Sequence, residues 1–292
     1  MPIEQILRGR ATDVGGLPVA RLLPHAQRRS IGPFVFVDHF GPTVLPPGAA
    51  LDVRPHPHIG LATVTYLFEG AILHRDSLGC VQRIEPGAVN WMTAGRGIVH
   101  SERTPAELRG EPVPMHGMQI WVALPREAED VEPSFAHYDA SALPVIERPG
   151  AVIRLIAGQA FGARSPVATF SDTLYCALEL AAGARLEIAA EHAERAVFAA
   201  SGAIEIDGRA VAAGELAVLA PGRNAQLAAQ QEARLMLLGG APLGERFVWW
   251  NFVASSRARI EAAKAEWLAY ERGSARFPRV PGETEFIPLP AR

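Results

Sequence analysis

Cysteine is scarce, with only Cys80 and Cys176 in 292 residues. They lie far apart in apolar stretches without CxxC spacing, which argues against a disulfide framework and predicts free core thiols in a reducing compartment. Long uncharged runs are also missing, since no segment offers 18 consecutive apolar residues. The N-terminus, Met1-Pro2-Ile3-Glu4-Gln5-Ile6, has no charged region leading into an apolar core. Together these absences predict a cytoplasmic chain, neither exported nor membrane-spanning. A basic stripe is absent too: net charge is -3 and the densest basic cluster is the pair Arg28-Arg29. That excludes the usual footprint of direct nucleic-acid binding.

Helical pattern is nearly absent as well. Its one convincing instance is near the end, where Ser255 or Ser256 caps and Ile260, Ala263, Trp267 and Leu268 make an apolar stripe. The remainder is rich in short β-like runs punctuated by 27 glycines and 24 prolines. Such punctuation points to an all-β sandwich or jelly roll. At 49% hydrophobic and 20% charged, the chain is long enough for one large or two ordinary domains.

Two fragments carry the chemistry. His56-Pro57-His58 and His100-Ser101-Glu102 each hold two potential metal ligands one residue apart. On a strand, residues i and i+2 share a face, so each fragment aims both side chains into one cavity. The neighbourhood is strand-like: Leu61 to Phe68 is a β-branched and aromatic run, and Ala94-Gly95-Arg96-Gly97 is a glycine turn before His100. Three imidazoles and one carboxylate bind a metal while leaving positions open, as a catalytic site requires. Imidazole suits Fe, Ni, Cu and Zn alike, so ligand type alone does not select the ion.

The chain also repeats itself. Glu69-Gly70-Ala71-Ile72 corresponds to Ser201-Gly202-Ala203-Ile204, Pro86-Gly87 to Ala213-Gly214, and Ala94-Gly95-Arg96 to Pro221-Gly222-Arg223. Counting onward sets Leu227 opposite His100 and Ala229 opposite Glu102. Counting back from Gly202 without gaps sets Ile188 and Ala190 opposite His56 and His58. All four ligand positions are apolar in the second copy, which is therefore expected to bind no ion there.

Several stretches resemble the pirin family: Asp38-His39-Phe40-Gly41-Pro42, His56-Pro57-His58-Ile59-Gly60, Leu73-His74-Arg75-Asp76-Ser77, the run from Ala94 to Glu102, and Gln119-Ile120-Trp121-Val122-Ala123-Leu124-Pro125. The likeness is close over the first 125 residues and looser beyond. It implies two cupin (jelly-roll) barrels in tandem: a metal-binding barrel at 1–136, a degenerate one at 137–240, and a segment at 241–292 whose helix packs on the barrels. It further implies one divalent metal ion per chain, usually iron as Fe(II), with Ni, Cu, Mn and Zn as alternatives. The family's ligands land on His56, His58, His100 and Glu102. One departure stands out, because many pirins and most cupins carry Glu where this chain has Ala62. Glu102 is then the carboxylate on which both the ion and proton transfer depend.

The activity the resemblance implies is quercetin 2,3-dioxygenase chemistry, in which O2 opens the ring of a flavonol and Glu102 acts as ligand and base. The alternative implied by the family is a metal- or redox-dependent regulator that binds a transcription factor or metabolic enzyme. Other residues carry plainer expectations. His74 and Asp76 form a hydrogen-bonded strand end outside the metal shell, and His25, His39, His116, His137 and His192 are hydrogen-bonded histidines. Trp91, Met92, Met118 and Trp121 line the pocket or pack the barrel, Trp249 and Trp250 seat the terminal segment, and Arg96 braces a loop. Pro57 restrains an edge or bulged strand.

Overall fold

The computed structural model describes residues 2–291. Some strands, such as Val89–Thr93 and Glu215–Leu219, are buried throughout, and others rest on alternation of apolar and polar residues. In Arg185–Ile188, for example, Leu186 and Ile188 are buried while Arg185 and Glu187 face water, the period-2 pattern of a half-buried strand.

The chain forms two compact units, each a pair of β-sheets. One unit contains Ala11–Val19, His39–Ala140 and the residues from Leu243 onward. Its four-stranded sheet runs in the order Asp52–His58, Ile98–Arg103, Ile72–Asp76, Val81–Ile84. The opposing sheet is built on Ser134–Tyr138, Val89–Thr93, Leu61–Glu69 and Val113–Ala123. The other unit contains the residues up to Arg10, Ala20–Asp38 and Ser141–Pro242. It repeats the plan, with a four-stranded sheet ordered Arg185–Ile188, Ala225–Ala229, Ile204–Ile206, Arg209–Val211. Its core draws Leu186, Ile188 and Leu227 from that sheet and Cys176, Val197, Leu235 and Leu237 from the opposing one. Both barrels are therefore jelly rolls, as the punctuation of the sequence predicts, and of the cupin type that the resemblance implies.

The structural units cut the chain differently from the sequence division at 1–136, 137–240 and 241–292. Ile3–Arg8 pairs antiparallel with Glu215–Leu219, so the first strand lies on the sheet edge of the second barrel. Ile3 joins that barrel's apolar core and Arg8 donates to Glu215 at 2.8 Å. A strand's own alternation says which face is buried but not which sheet edge it completes, and counting along the chain cannot supply that.

The C-terminal segment belongs to the first barrel's unit. Phe252, Ala254, Ile260, Ala263, Trp267, Tyr270, Phe277 and Val280 pack with Ile59 and Val99. The helix spans Arg257–Leu268 behind Ser256 as N-cap, although the Ser256 side chain makes no capping bond. Ser255 instead donates its N–H and hydroxyl to Glu129, at 2.6 and 2.9 Å. Ile260, Ala263 and Trp267 form the buried stripe, but Leu268 is 66% exposed. At 100° per residue Leu268 is turned off the stripe, so the four-residue stripe contracts to three. Cys80 and Cys176 are both free thiols, and no helix among the described residues is long and apolar enough to cross a membrane.

Candidate metal centre

Asp52–His58 is the edge strand of its sheet, the place where Pro55 and Pro57 are tolerated because neither can donate to a ladder. It pairs antiparallel with Ile98–Arg103, setting His100 opposite His56 and Ile98 opposite His58. Beyond that point the register slips: Glu102 pairs with Val53, so the edge strand takes three residues where its partner takes two. This is a β-bulge next to the proposed ligands. Gly60 then turns the chain out of the strand with φ +66°, where a Cβ would run into the Val253 carbonyl oxygen.

Strand alternation and this register bring the three imidazoles together. Ring centroids are 4.9 Å apart for His56 and His58, 4.5 Å for His56 and His100, and 5.0 Å for His58 and His100. One ring nitrogen of each lies within 4.8 Å of the other two. His56 is 6% exposed and the other two 1% each. Burial holds His56 in its neutral form down to about 4, against the opposing hydrogen bond to the Arg54 carbonyl. Burial and neighbouring imidazoles push His58 and His100 well below the ordinary histidine range. The cluster is thus a set of neutral imidazoles, the form that ligates metals.

The outward nitrogens are already committed. His56 Nδ1 donates to the Arg54 carbonyl at 2.9 Å and His58 Nδ1 to the Asn251 carbonyl at 3.0 Å. Each bond fixes a tautomer in which Nε2 keeps its lone pair. His100 Nδ1 lies 3.3 Å from His74 Nδ1, and the buried His100 Nε2 has no hydrogen-bond partner among the described residues. An unpartnered, buried nitrogen facing two others is costly in water-free protein and is satisfied by a cation. The donor set fits a divalent ion.

Glu102 shares a strand face with His100 but lies outside the three-histidine cluster. It is 9% exposed, and Thr65 Oγ1 lies 3.2 Å from its Oε1. Burial raises its pKa, while the His74 ring and the Thr65 hydroxyl pull the other way. Around the site, Trp121 sets its ring edge-on to His58 at 5.1 Å, and Phe135 stacks on His74 at 4.4 Å. Trp121 and Phe135 therefore pack against this histidine group. Of these, Thr65 and Phe135 had no sequence signal, because only the pairing of Leu61–Glu69 and Ser134–Tyr138 with their neighbours brings them here.

The other histidines are hydrogen-bonded. His39 and His116 meet at 3.0 Å, His137 meets Asn90 and Asp139, His192 meets Asp172 and the Gln159 carbonyl, and His25 Nδ1 accepts from the Gln27 N–H. His74 Nε2 lies 3.0 Å from Asp76 Oδ2. Arg96 pairs with Glu132 across its loop, and Trp249 and Trp250 stack into the aromatic group around Phe252.

In the second barrel the corresponding sheet is aliphatic. Leu227, the counterpart of His100, pairs with Leu186, and Ala225 pairs with Ile188. The counterparts of His56 and His58 are therefore Leu186 and Ile188. The gap-free count that selected Ile188 and Ala190 is off by two, because the connection at 189–193 is three residues longer than Ile59-Gly60 while the next strand, Glu194–Ser201, is one residue shorter than Leu61–Glu69. Ala190 sits in that connection, donating its N–H to Asn224.

Comparison with known proteins agrees with this architecture. Residues 16–122 match the family described as Pirin, and 175–273 the Pirin C-terminal cupin domain. A pirin-like protein of Caulobacter vibrioides is 49% identical over 291 residues, covering 99% of each chain. The crystal structure of quercetin 2,3-dioxygenase from Acinetobacter baumannii superposes with TM-score 0.91 at 33% identity, covering 99% of this chain and 95% of that one. A bacterial pirin of Escherichia coli, solved in complex with nickel(II), shares the fold with TM-score 0.65 at 18% identity, covering 82% and 99%. With both barrels matched in order along one chain, this protein belongs to the pirin family.

Proposed function

We propose that this protein is a metal-dependent oxygenase that opens the ring of a flavonol such as quercetin with O2, using Fe(II) held by His56, His58, His100 and Glu102. The observation that carries the reading is the convergence of three buried, neutral imidazoles, with buried Glu102 two residues beyond His100 on the same strand. The 33% identity to a quercetin 2,3-dioxygenase over nearly the whole chain supports the choice of reaction. Nickel, copper, manganese and zinc are the competing ions, since imidazole accepts all of them.

A divalent ion held by these residues would supply Lewis acidity toward a substrate hydroxyl. Glu102 takes that proton on its carboxylate, and the Thr65 hydroxyl, 3.2 Å from Oε1, orients it. Trp121 and Phe135 flank the histidines with ring faces and edges, giving a planar aromatic substrate apolar walls and limiting access of water.

The test is metal analysis of protein purified without added metal, followed by anaerobic flavonol titration of the iron-loaded form and then oxygen. A spectral shift on titration and carbon monoxide on oxygenation are expected. Absence of both would sink the oxygenase reading. Glu102→Gln is expected to lower turnover by about 10²–10⁴-fold, the usual worth of a positioned base. A regulator that binds a transcription factor or metabolic enzyme would take up the ion and leave flavonol and oxygen untouched, so the same experiment separates the two.

A further inference from the structure

Behind His100 runs a line of buried polar groups that the proposed reaction does not use. His74 and Asp76 lie on Ile72–Asp76, which pairs with Ile98–Arg103 so that Asp76 stands opposite His100 and His74 opposite Glu102. Asp76 is fully buried and His74 is 4% exposed. Asp76 Oδ1 accepts the backbone N–H groups of Leu78 at 2.9 Å and Cys80 at 3.1 Å. Its other oxygen, Oδ2, is 3.0 Å from His74 Nε2, and His74 Nδ1 is 3.3 Å from His100 Nδ1. Phe135 stacks on the His74 ring with an interplanar angle of 19°, holding its plane.

We propose that Asp76 and His74 are positioning residues that act as a tautomer lock on His100, compelling its Nε2 to present a lone pair to the metal. In the order that lets His100 ligate through Nε2, His74 carries its single N–H on Nε2, pointing at the Asp76 carboxylate. His74 Nδ1 is then an acceptor, and the nitrogen facing it, His100 Nδ1, must carry the hydrogen. His100 Nε2 is left bare, and that is the buried atom with no hydrogen-bond partner among the described residues. The other two histidines obtain the same result from a single backbone carbonyl each. His100 obtains it through two side chains, so its lock is open to substitution. This inference rests on the reading that His100 is a ligand.

The test reads the ring nitrogens directly. In the metal-free full-length chain with 15N-labelled histidine, His100 is expected to show a protonated Nδ1 and a bare Nε2. In Asp76→Asn the amide oxygen keeps the Leu78 and Cys80 N–H groups, and the NH2 faces His74 Nε2. That reverses every donor in the line and moves the His100 hydrogen to Nε2. Nickel(II) affinity, measured by competition with a chromophoric chelator, should fall about 10–100-fold. His74→Gln offers His100 an amide oxygen whatever occupies position 76, so adding Asp76→Asn to His74→Gln should cost no more than a fewfold. A His100 hydrogen already on Nε2 in the wild type overturns the lock even if no variant folds. So does an Asp76→Asn protein with an unchanged His100 pattern, or a double variant whose losses simply add. Wild-type protein that shows the expected pattern and binds nickel yet never turns over a flavonol would sink the oxygenase reading and leave the lock standing.

Discussion

The two four-stranded sheets share one topology and one pairing pattern, yet one lines its inner face with His56, His58, His100, Glu102, His74 and Asp76 while the other uses aliphatic residues. In the second sheet Leu227 meets Leu186 and Ile206, and Ala229 meets Ile204. The frame closes without any polar group at those positions. The polar set in the first barrel is therefore not a folding requirement of the jelly roll. Burying so many imidazoles and carboxylates costs free energy that an apolar core does not, which is how functional sites depart from what packing alone would choose.

Converting the first sheet into the second should have the largest effect. With His56→Leu and His100→Leu combined, nickel(II) binding should weaken by about 10⁴-fold, taking ~10–16 kcal/mol for a four-donor site as shared among its donors. Calorimetric titration measures it, and affinity within tenfold of wild type would show that the ion sits elsewhere. Next comes the helix that packs with Ile59 and Val99 of the first barrel. Trp267→Ala should cost about 3–5 kcal/mol, as for a buried large aromatic, whereas Leu268→Ala should stay within about 0.5 kcal/mol. Urea unfolding compares the two, and equal losses would contradict the exposure of Leu268.

Acid should then separate the units. Burial, helped by the neighbouring His116, lowers His39 from 6.5 to about 4. Between those values the unfolded chain binds a proton that the folded one refuses, so stability falls as pH drops from 6.5 towards 4 and is unaffected by this group above that range. The contribution is about 3 kcal/mol, from ~1.4 kcal/mol per pKa unit. In metal-free protein, hydrogen exchange should therefore rise first in the unit holding His39 and the three-histidine cluster, with Thr173–Leu180 and Ala233–Gly240 still protected. His39→Asn should flatten the pH dependence of stability. The smallest effect is the reverse graft: Leu227→His buries an imidazole without a polar partner in the second sheet and should cost about 2 kcal/mol. It should bring no nickel(II) binding.

Much of the fold and part of the site were legible in the chain. The i, i+2 spacings at His56 and His100 were readable because a strand's period of two is a local property. Leu227 and Ala229 could be matched to His100 and Glu102 because the glycine turns before them are equally spaced. The match failed by two residues on the other strand, where the connection after Ile188 is longer. His74 and Asp76 were visible as a pair, but their link to His100 depends on cross-strand register. Thr65 and Phe135 left no signal, since a Thr and a Phe in strands read as ordinary packing.

By itself, the sequence determined the all-β architecture, the duplication and the three imidazoles that converge, all of which follow from short-range periodicity and residue type. Only the tertiary structure decided that Ile3–Arg8 completes the second barrel and that Leu268 faces water. It also decided that Glu102 falls outside the histidine cluster, where the facing strand bulges, and that Asp76 reaches His100 through His74. Those outcomes turn on which edges and faces meet across long loops, a choice made by the packing of the whole chain and written in no single segment.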